Sequence, residues 1–525
     1  MESLPGWQPL AQALRRTDVP KQVLEEGALG AILQQGELVH RIVELPPGVS
    51  ETAVRGGQLD PESGPLEVAY TARVGASNRL QPAILDDAAR NHPERMVVSI
   101  VVDPGDLDGP TGVHKLYTER LEYPALVDFF EGGEEVLSAR VGFKLHGGSS
   151  RRPGLQHSYR LHFNGRFGPE QVSPGLLYDG TLDPVRTLVL RRVPLGHFTS
   201  SFSYDLASMI GCFVPARQPV QLYMNGVDQG IYLATEHLSR EQISIRMGWN
   251  RFLLFRRRGL TDEQSRKAYL RLRDWILDQG QSLRAEQVAQ YIDLDALTSH
   301  LLTVAFCGTS DWEQGAAILN LDDPNARWRW ILWDMDRGLF HSRMEGRLPS
   351  LGRILDDPQE GRDSVPALVG RSLLRHDPAY QDRFRRFATE TLNHVWTSKR
   401  LLAIADHYDA MAKSQALLSS TNTRRRQFIR SRPGELMQDM RKLMGLPPVL
   451  GCLVTAGQDA EAVLRVNGRE VELPFRGLYF TGDHIEVEAQ ASRPVVAWHV
   501  DGKRVPGEKL SLEIQSATRV LPLWH

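Results

Sequence analysis

The sequence predicts an α+β fold built from more than one body. Strand patterns crowd residues 97–236, and helical patterns run from Asp293 to Met444. Beyond the Pro447-Pro448 pair the chain returns to short strands broken by turn dipeptides. At roughly 100–200 residues per domain, 525 residues suit about three domains. The reading is an N-terminal helical and linker region of unknown role over 1–96, a central domain over 97–446 dividing near 236, and a small β-sandwich over 450–525.

The elements follow in order. Leu10 to Leu33 reads as one or two helices, and the Pro/Gly/Ser/Glu-rich stretch Leu45–Pro65 as an irregular connection. Val97–Val102 is a strand, and Val136–Leu145 is a second that ends in a Gly/Ser-rich loop, His146 to Gly154. Ser158–Phe163 alternates: Tyr159, Leu161 and Phe163 share one face, and Ser158, Arg160 and His162 share the other. The loop therefore joins two antiparallel strands. Leu188–Leu190 is another strand, and Phe202, Leu206, Met209 and Ile210 recur at helical spacing before Gly211. Val220–Met224 and Gly230–Thr235 form a hairpin about Asn225-Gly226.

In the second half, Asp293 caps a helix with the apolar stripe Leu297, Leu301, Val304 and Ala305, which runs out at Gly308. Two short strands follow, Ala316–Leu321 and Trp328–Trp333. Helices dominate from Ser364 to Met444. In the last segment, Asn467-Gly468, Gly482-Asp483 and Asp501-Gly502 mark turns.

Composition excludes several classes. With 62 Lys+Arg against 64 Asp+Glu, the net charge of −2 argues against a coat for nucleic acid or an anionic membrane. No apolar run reaches the length of a membrane span, and the N-terminus lacks a signal-peptide pattern. Three scattered cysteines suit a reducing compartment, so the expected location is cytoplasmic. Only nine of the cations are lysines, so chemistry that needs one has few candidates.

Two acidic positions carry the most chemical weight. Asp311 follows a helix, and Asp334 follows a strand 23 residues later, with Asp336 beside it. A hairpin between them would bring both carboxylates to one edge of a cleft. This order resembles the lower lobe of a protein kinase, where one carboxylate receives the attacking hydroxyl and another holds Mg²⁺. Hard oxygens suit Mg²⁺ or Mn²⁺. Taken alone, Asp311 reads equally as a turn residue, and Arg337 offers Asp334 and Asp336 a plain ion-pair partner. The His146–Arg152 loop offers N–H groups and hydroxyls to a phosphate, and many hairpin loops share that composition.

Gly147-Gly148-Ser149-Ser150-Arg151 followed by Ser158-Tyr159-Arg160-Leu161 is similar to the G-x-S-S-R…K-S-Y-R-L segment of the CotH kinase family, the spore-coat-protein-H-like atypical kinases. Leu188–Arg191, the stretch Val220–Glu236, Asp311, Trp333-Asp334-Met335-Asp336 and Arg430-Ser431-Arg432-Pro433 follow in the family's order. The resemblance spans roughly Val97–Leu446. It implies a divergent two-lobed protein-kinase-like fold, with a β-rich upper lobe, a helical lower lobe, and ATP- and Mg²⁺-dependent phosphorylation of Ser or Thr on a protein substrate. It also implies that Asp311 is the catalytic-loop carboxylate and Asp334 a metal ligand supported by Asp336. Gly148, Ser149, Ser150 and Arg151 would contact phosphates, and Glu236 would lie near the nucleotide.

Two positions depart from the family. Gln156-His157 stand where it commonly has Lys before the S-Y-R segment, which leaves Lys144 and Arg160 as the ATP-pairing cations. The usual Asn after the catalytic Asp is absent, and Gln314 is the candidate second metal ligand, with Glu313 an alternative. A non-catalytic kinase-like binding module, or a nucleotide-sugar transferase using Asp334-x-Asp336, stays open at this level.

Overall fold

The computed structural model describes residues 95–524, apart from 132–133, 149–150, 154–155, 173–183, 194–197, 225–226, 258–260, 310–314, 340–350, 357–363, 414–420, 457–461 and 492–493. Ahead of residue 95 it describes the backbone of five short strands. Three of these, Lys21–Gly27, Gly30–Gln35 and Leu38–Val43, pair antiparallel in sequence order. This corrects the helical reading across Leu10–Leu33 for its described part. Gly27, Gly30 and Gly36 interrupt the chain too often for a helix, which loses up to about 1 kcal/mol per internal glycine.

The chain forms two compact units, one of residues 1–196 with 215–249, the other of 197–214 with 250–525. In the first unit seven strands close into a barrel. Their order is Ser158–His162, Thr187–Arg192, Val227–Glu236, Arg217–Met224, Met96–Val102, Tyr123–Glu131, Glu134–His146 and back to the first. Every described pairing is antiparallel except that of Arg217–Met224 with Met96–Val102. Closure leaves no unpaired edge. Inward residues fill the barrel, among them Val98, Ile100, Phe129, Phe143, Leu161, Leu190, Leu222 and Tyr232. Tyr159, Leu161 and Phe163 are all buried, as their alternation requires.

The second unit opens with the helix Thr199–Ser208. Phe202, Tyr204, Leu206 and Ala207 bury completely, and Trp396 Nε1 donates to Leu206 O at 2.8 Å. That helix packs on Leu294–Cys307, whose Asp293 cap accepts from Asp295 N and Ala296 N at 3.0 Å. Leu294–Cys307 is buried on nearly all sides and ends at Gly308 in the left-handed region. A three-stranded antiparallel sheet, Phe252–Arg256, Ala316–Asn320 and Arg329–Ile331, lies in the same unit. Further helices follow or flank it, among them Glu263–Gln279 and the 24-residue Thr421–Met444.

From Val449 onward the chain forms a five-stranded and a four-stranded sheet that feed one apolar cluster around Trp498. Asn467-Gly468 and Asp501-Gly502 hold positive φ at both residues, as two-residue hairpins demand. Asn393 docks this segment on the helices: its Nδ2 donates to Leu478 O and its Oδ1 accepts from Leu478 N, each at 2.9 Å. Among the described residues no helix is long and apolar enough to cross a membrane.

Candidate active site

In the first unit, the strands Glu134–His146 and Ser158–His162 pair with Lys144 directly opposite Arg160. Residues opposite one another in an antiparallel pair share a face, and two cations there repel. Glu122 offsets that repulsion. Its Oε2 accepts from Lys144 Nζ at 2.9 Å, and its Oε1 lies 2.9 Å from His162 Nδ1. These bonds pull the Glu122 carboxyl from its ordinary 4.5 to about 2, with the His162 hydrogen bond the largest cause. Lys144, Arg160 and His162 line a cavity of about 420 Å³ together with Arg186, Thr187 and His237.

Arg160 Nη2 lies 3.0 Å from His146 Nδ1. A guanidinium only donates, so His146 accepts as a neutral imidazole. Burial pushes its pKa well below the ordinary range, and the charges of Arg160, Arg191, His237 and Arg151 push the same way. The region is therefore a half-buried basic cluster in which Glu122 pairs with Lys144 and His162, and Glu170 and Glu241 also line the cavity.

A depressed carboxyl stabilises the fold fully above its unfolded value and loses that effect as pH falls through its folded value. The Glu122 cluster should thus contribute above pH 4.5 and weaken as pH falls toward 2. Acid unfolding followed by circular dichroism should show a smaller stability difference between wild type and Glu122→Gln at pH 2 than at pH 6. A constant difference would rule out the linkage.

The other expected phosphate contacts lie apart from this cavity. Gly148 is exposed, and Arg151 N–H donates to Gly148 O at 3.2 Å while Arg151 Nη1 donates to Glu119 O at 3.2 Å. Neither lines the cavity. Ser149 and Ser150 lie outside the described residues. Glu236 is not an exposed strand end. It is fully buried, its Oε2 accepting from Ala216 N at 3.0 Å and Arg246 Nη1 at 2.7 Å, and burial raises its pKa against those partners.

The second unit holds the acidic segment. After Arg329–Ile331 the chain turns at Asp334, which takes the left-handed conformation (φ 60°, ψ 50°) and donates its N–H to Tyr204 Oη at 2.9 Å. Met335 is buried beneath the turn, and Asp336 and Arg337 are exposed. Leu339 is also left-handed and fully buried, so two non-glycine residues in a costly conformation flank the segment.

Asp311 and Gln314 lie outside the described residues. Their flanks are placed. Thr309 is buried beyond the helix end. Gly315 lies against Ile331, where an added Cβ would fall 2.1 Å from the carbonyl oxygen. Arg432, 2% exposed, donates to the carbonyls of Phe306 at 2.9 Å and Ala305, orphan acceptors of the helix that leads to Asp311.

Asp334 and Asp336 put two hard carboxylates one residue apart, and Mg²⁺ commonly takes one or two carboxylates with substrate phosphates completing its shell. Among the described residues no group of three or more His, Cys, Asp or Glu converges.

Sequence reasoning missed Glu122, Arg186 and His237, because their contacts with Lys144 and Arg160 cross loops that no spacing rule spans. The run Arg424-Arg425-Arg426 would suit a solvated helix face or a loop, or a dock for an acidic or phosphorylated substrate. Arg425 is instead 1% exposed and paired with Asp409 at 3.0 Å.

A family model described as CotH kinase protein matches residues 143–252 and 254–433, over half of the chain. The chain belongs to the CotH kinase family, a family of atypical kinases. The matched span contains every candidate site residue that the sequence named, from Lys144 to Asp336, and leaves out Glu122. No curated protein matches the chain. Among solved structures, the Helicobacter pylori proinflammatory kinase CtkA is 11% identical with a TM-score of 0.25, over 57% of this chain and 93% of that one. HipA of a Shewanella oneidensis toxin–antitoxin complex with HipB and operator DNA is 14% identical with a TM-score of 0.23, over 55% and 64%. Likenesses of that size carry no argument about this chain.

Proposed function

We propose that this CotH kinase transfers the γ-phosphate of ATP to a Ser or Thr hydroxyl of a protein substrate, in a Mg²⁺- or Mn²⁺-dependent reaction on a two-lobed kinase-like fold. The observation that supports it best is Lys144, paired with Glu122, opposite Arg160 at a cavity, in a chain of this family. A paired lysine is preorganised: Glu122 holds the ammonium in place before the nucleotide arrives.

Lys144 and Arg160 would neutralise phosphate oxygens, with Gly148, Ser149, Ser150 and Arg151 donating from the loop. Glu236 would act through Arg246 and the strand end as a positioning residue. Asp334, Asp336 and Gln314 would hold the cation, and Asp311 would accept the proton of the attacking hydroxyl. When bound, the cation would neutralise charge on the phosphates.

ATP with Mg²⁺ is expected to raise the melting temperature, and UDP-glucose to leave it unchanged. Lys144→Met should weaken ATP binding about tenfold or more. Protection by UDP-glucose in place of ATP would favour a nucleotide-sugar transferase, and no protection by any nucleotide would favour a non-catalytic module.

A further inference from the structure

The turn that carries Asp334 is held by residues distant in sequence. Leu332 N–H donates to Phe213 O at 3.0 Å, which fixes the strand end entering the turn, and Gly338 N–H donates to Met335 O at 3.3 Å beyond it. Between those bonds Asp334 is left-handed, and its N–H donates to the hydroxyl of Tyr204, 130 residues away in sequence, at 2.9 Å. A non-glycine residue keeps that conformation where its surroundings over-determine it. Here a side-chain oxygen is one of the restraints.

The hydroxyl is itself firmly placed. Tyr204 is fully buried on the helix Thr199–Ser208. The next two residues of that helix are tied to partners far along the chain. Tyr408 Oη donates to Asp205 Oδ2 at 2.6 Å, and Trp396 Nε1, on a fully buried ring, donates to Leu206 O at 2.8 Å. All of these residues belong to the second unit. A buried hydroxyl on an anchored helix restrains the group it bonds, as outer residues around a reacting site do.

We propose that Tyr204 is a positioning residue for phosphate transfer: its hydroxyl fixes the Asp334 backbone, and with it the place from which the Asp334 carboxylate meets the cation. The inference rests on the role of Asp334 proposed above. Tyr204 acts only through Asp334 and touches neither nucleotide nor substrate.

The test is Tyr204→Phe in the full chain, which removes one oxygen and keeps the ring. Transfer from labelled ATP should fall about tenfold in kcat, with the KM for ATP within about twofold of wild type. Binding of Mn²⁺ in the presence of a non-hydrolysable ATP analogue, followed by electron paramagnetic resonance, should weaken about tenfold. In an Asp334→Asn background, Tyr204→Phe should lower neither quantity further, because the carboxylate it positions is gone. Tyr380→Phe is the matched control. It removes another buried hydroxyl of the same unit, bonded to Thr298 at 3.0 Å. Both variants should melt a few degrees lower, and Tyr380→Phe should keep transfer within about twofold of wild type. In wild type the Asp334 amide should be protected from hydrogen exchange, a measurement that needs no variant to fold.

The proposal fails if Tyr204→Phe transfers phosphate and binds Mn²⁺ as wild type does, if its loss multiplies with that of Asp334→Asn, or if Tyr380→Phe loses as much transfer. It fails too if the wild-type Asp334 amide exchanges freely. If Asp334→Asn transfers as wild type, the role of Asp334 falls and this inference with it. If Asp334→Asn is inactive while Tyr204→Phe is unimpaired, this inference alone falls.

Discussion

Asp334→Asn is expected to reduce phosphate transfer by about 10³-fold with little change in melting temperature. The backbone conformation at this position suits the substitution. Asp334 sits at φ 60°, where Asn is as well tolerated as Asp, and its N–H bond to Tyr204 Oη does not involve the side chain. Asp334→Ala would lose the carboxylate too, but it would add about 1 kcal/mol of backbone strain and mix two effects. Transfer from labelled ATP to a protein substrate, measured beside thermal melting, separates them. Equal transfer by wild type and Asp334→Asn would remove this residue from the reaction and with it the proposed kinase chemistry.

Arg432→Met should cost about 3 kcal/mol of stability and lower the melting temperature by roughly 10 °C. The side chain is buried and satisfies the carbonyls of Ala305 and Phe306 at the end of a helix that is itself almost wholly buried. Methionine keeps much of the volume and removes both bonds. It also removes the positive charge that complements the negative end of the helix dipole. Chemical denaturation is the direct measurement, and a loss below about 0.5 kcal/mol would mean that the carbonyls find other donors. The helix that Arg432 secures leads directly to the segment containing Asp311, so the same variant should lower activity before it unfolds the protein.

Features encoded by a few neighbouring residues were legible in the sequence. Asp293 caps its helix and Gly308 stops it, because both act on backbone groups within one turn. Asn467-Gly468 and Asp501-Gly502 make their turns because their left-handed conformations are an intrinsic property of those residues. The alternation of Ser158 to Phe163 shows which face is buried, and the strands on either side of the Gly/Ser loop pair antiparallel around it. The N-terminal strands are the counterexample. There a short apolar pattern suits either period, and the spacing of the glycines outweighs it.

Features encoded by partners far apart were not legible. The helix Thr199–Ser208 reads as an insertion between strands, yet its apolar face is buried in the second unit with Leu294–Cys307 and Trp396. The partners of Arg425 and Arg432 could not be read, because nothing near them in sequence announces Asp409 or the orphan carbonyls of another helix. Glu236 is expected near a nucleotide from the resemblance alone, and nothing close in sequence announces Arg246 and the Ala216 N–H that enclose it.

By itself the sequence determined many of the strands and helices from Val97 onward, the two acids Asp334 and Asp336, and the family resemblance, since each is written in contiguous residues. It also narrowed the strand-borne lysines between Val136 and Thr235 to Lys144 alone. Only the tertiary structure decided that seven strands close into a barrel, that Lys144 faces Arg160, and that Glu122 joins Lys144 to His162. The physical reason is range. Propensity, capping and turn geometry act within a few residues along the chain. Burial, charge pairing and strand register depend on neighbours in space, which a linear pattern does not name.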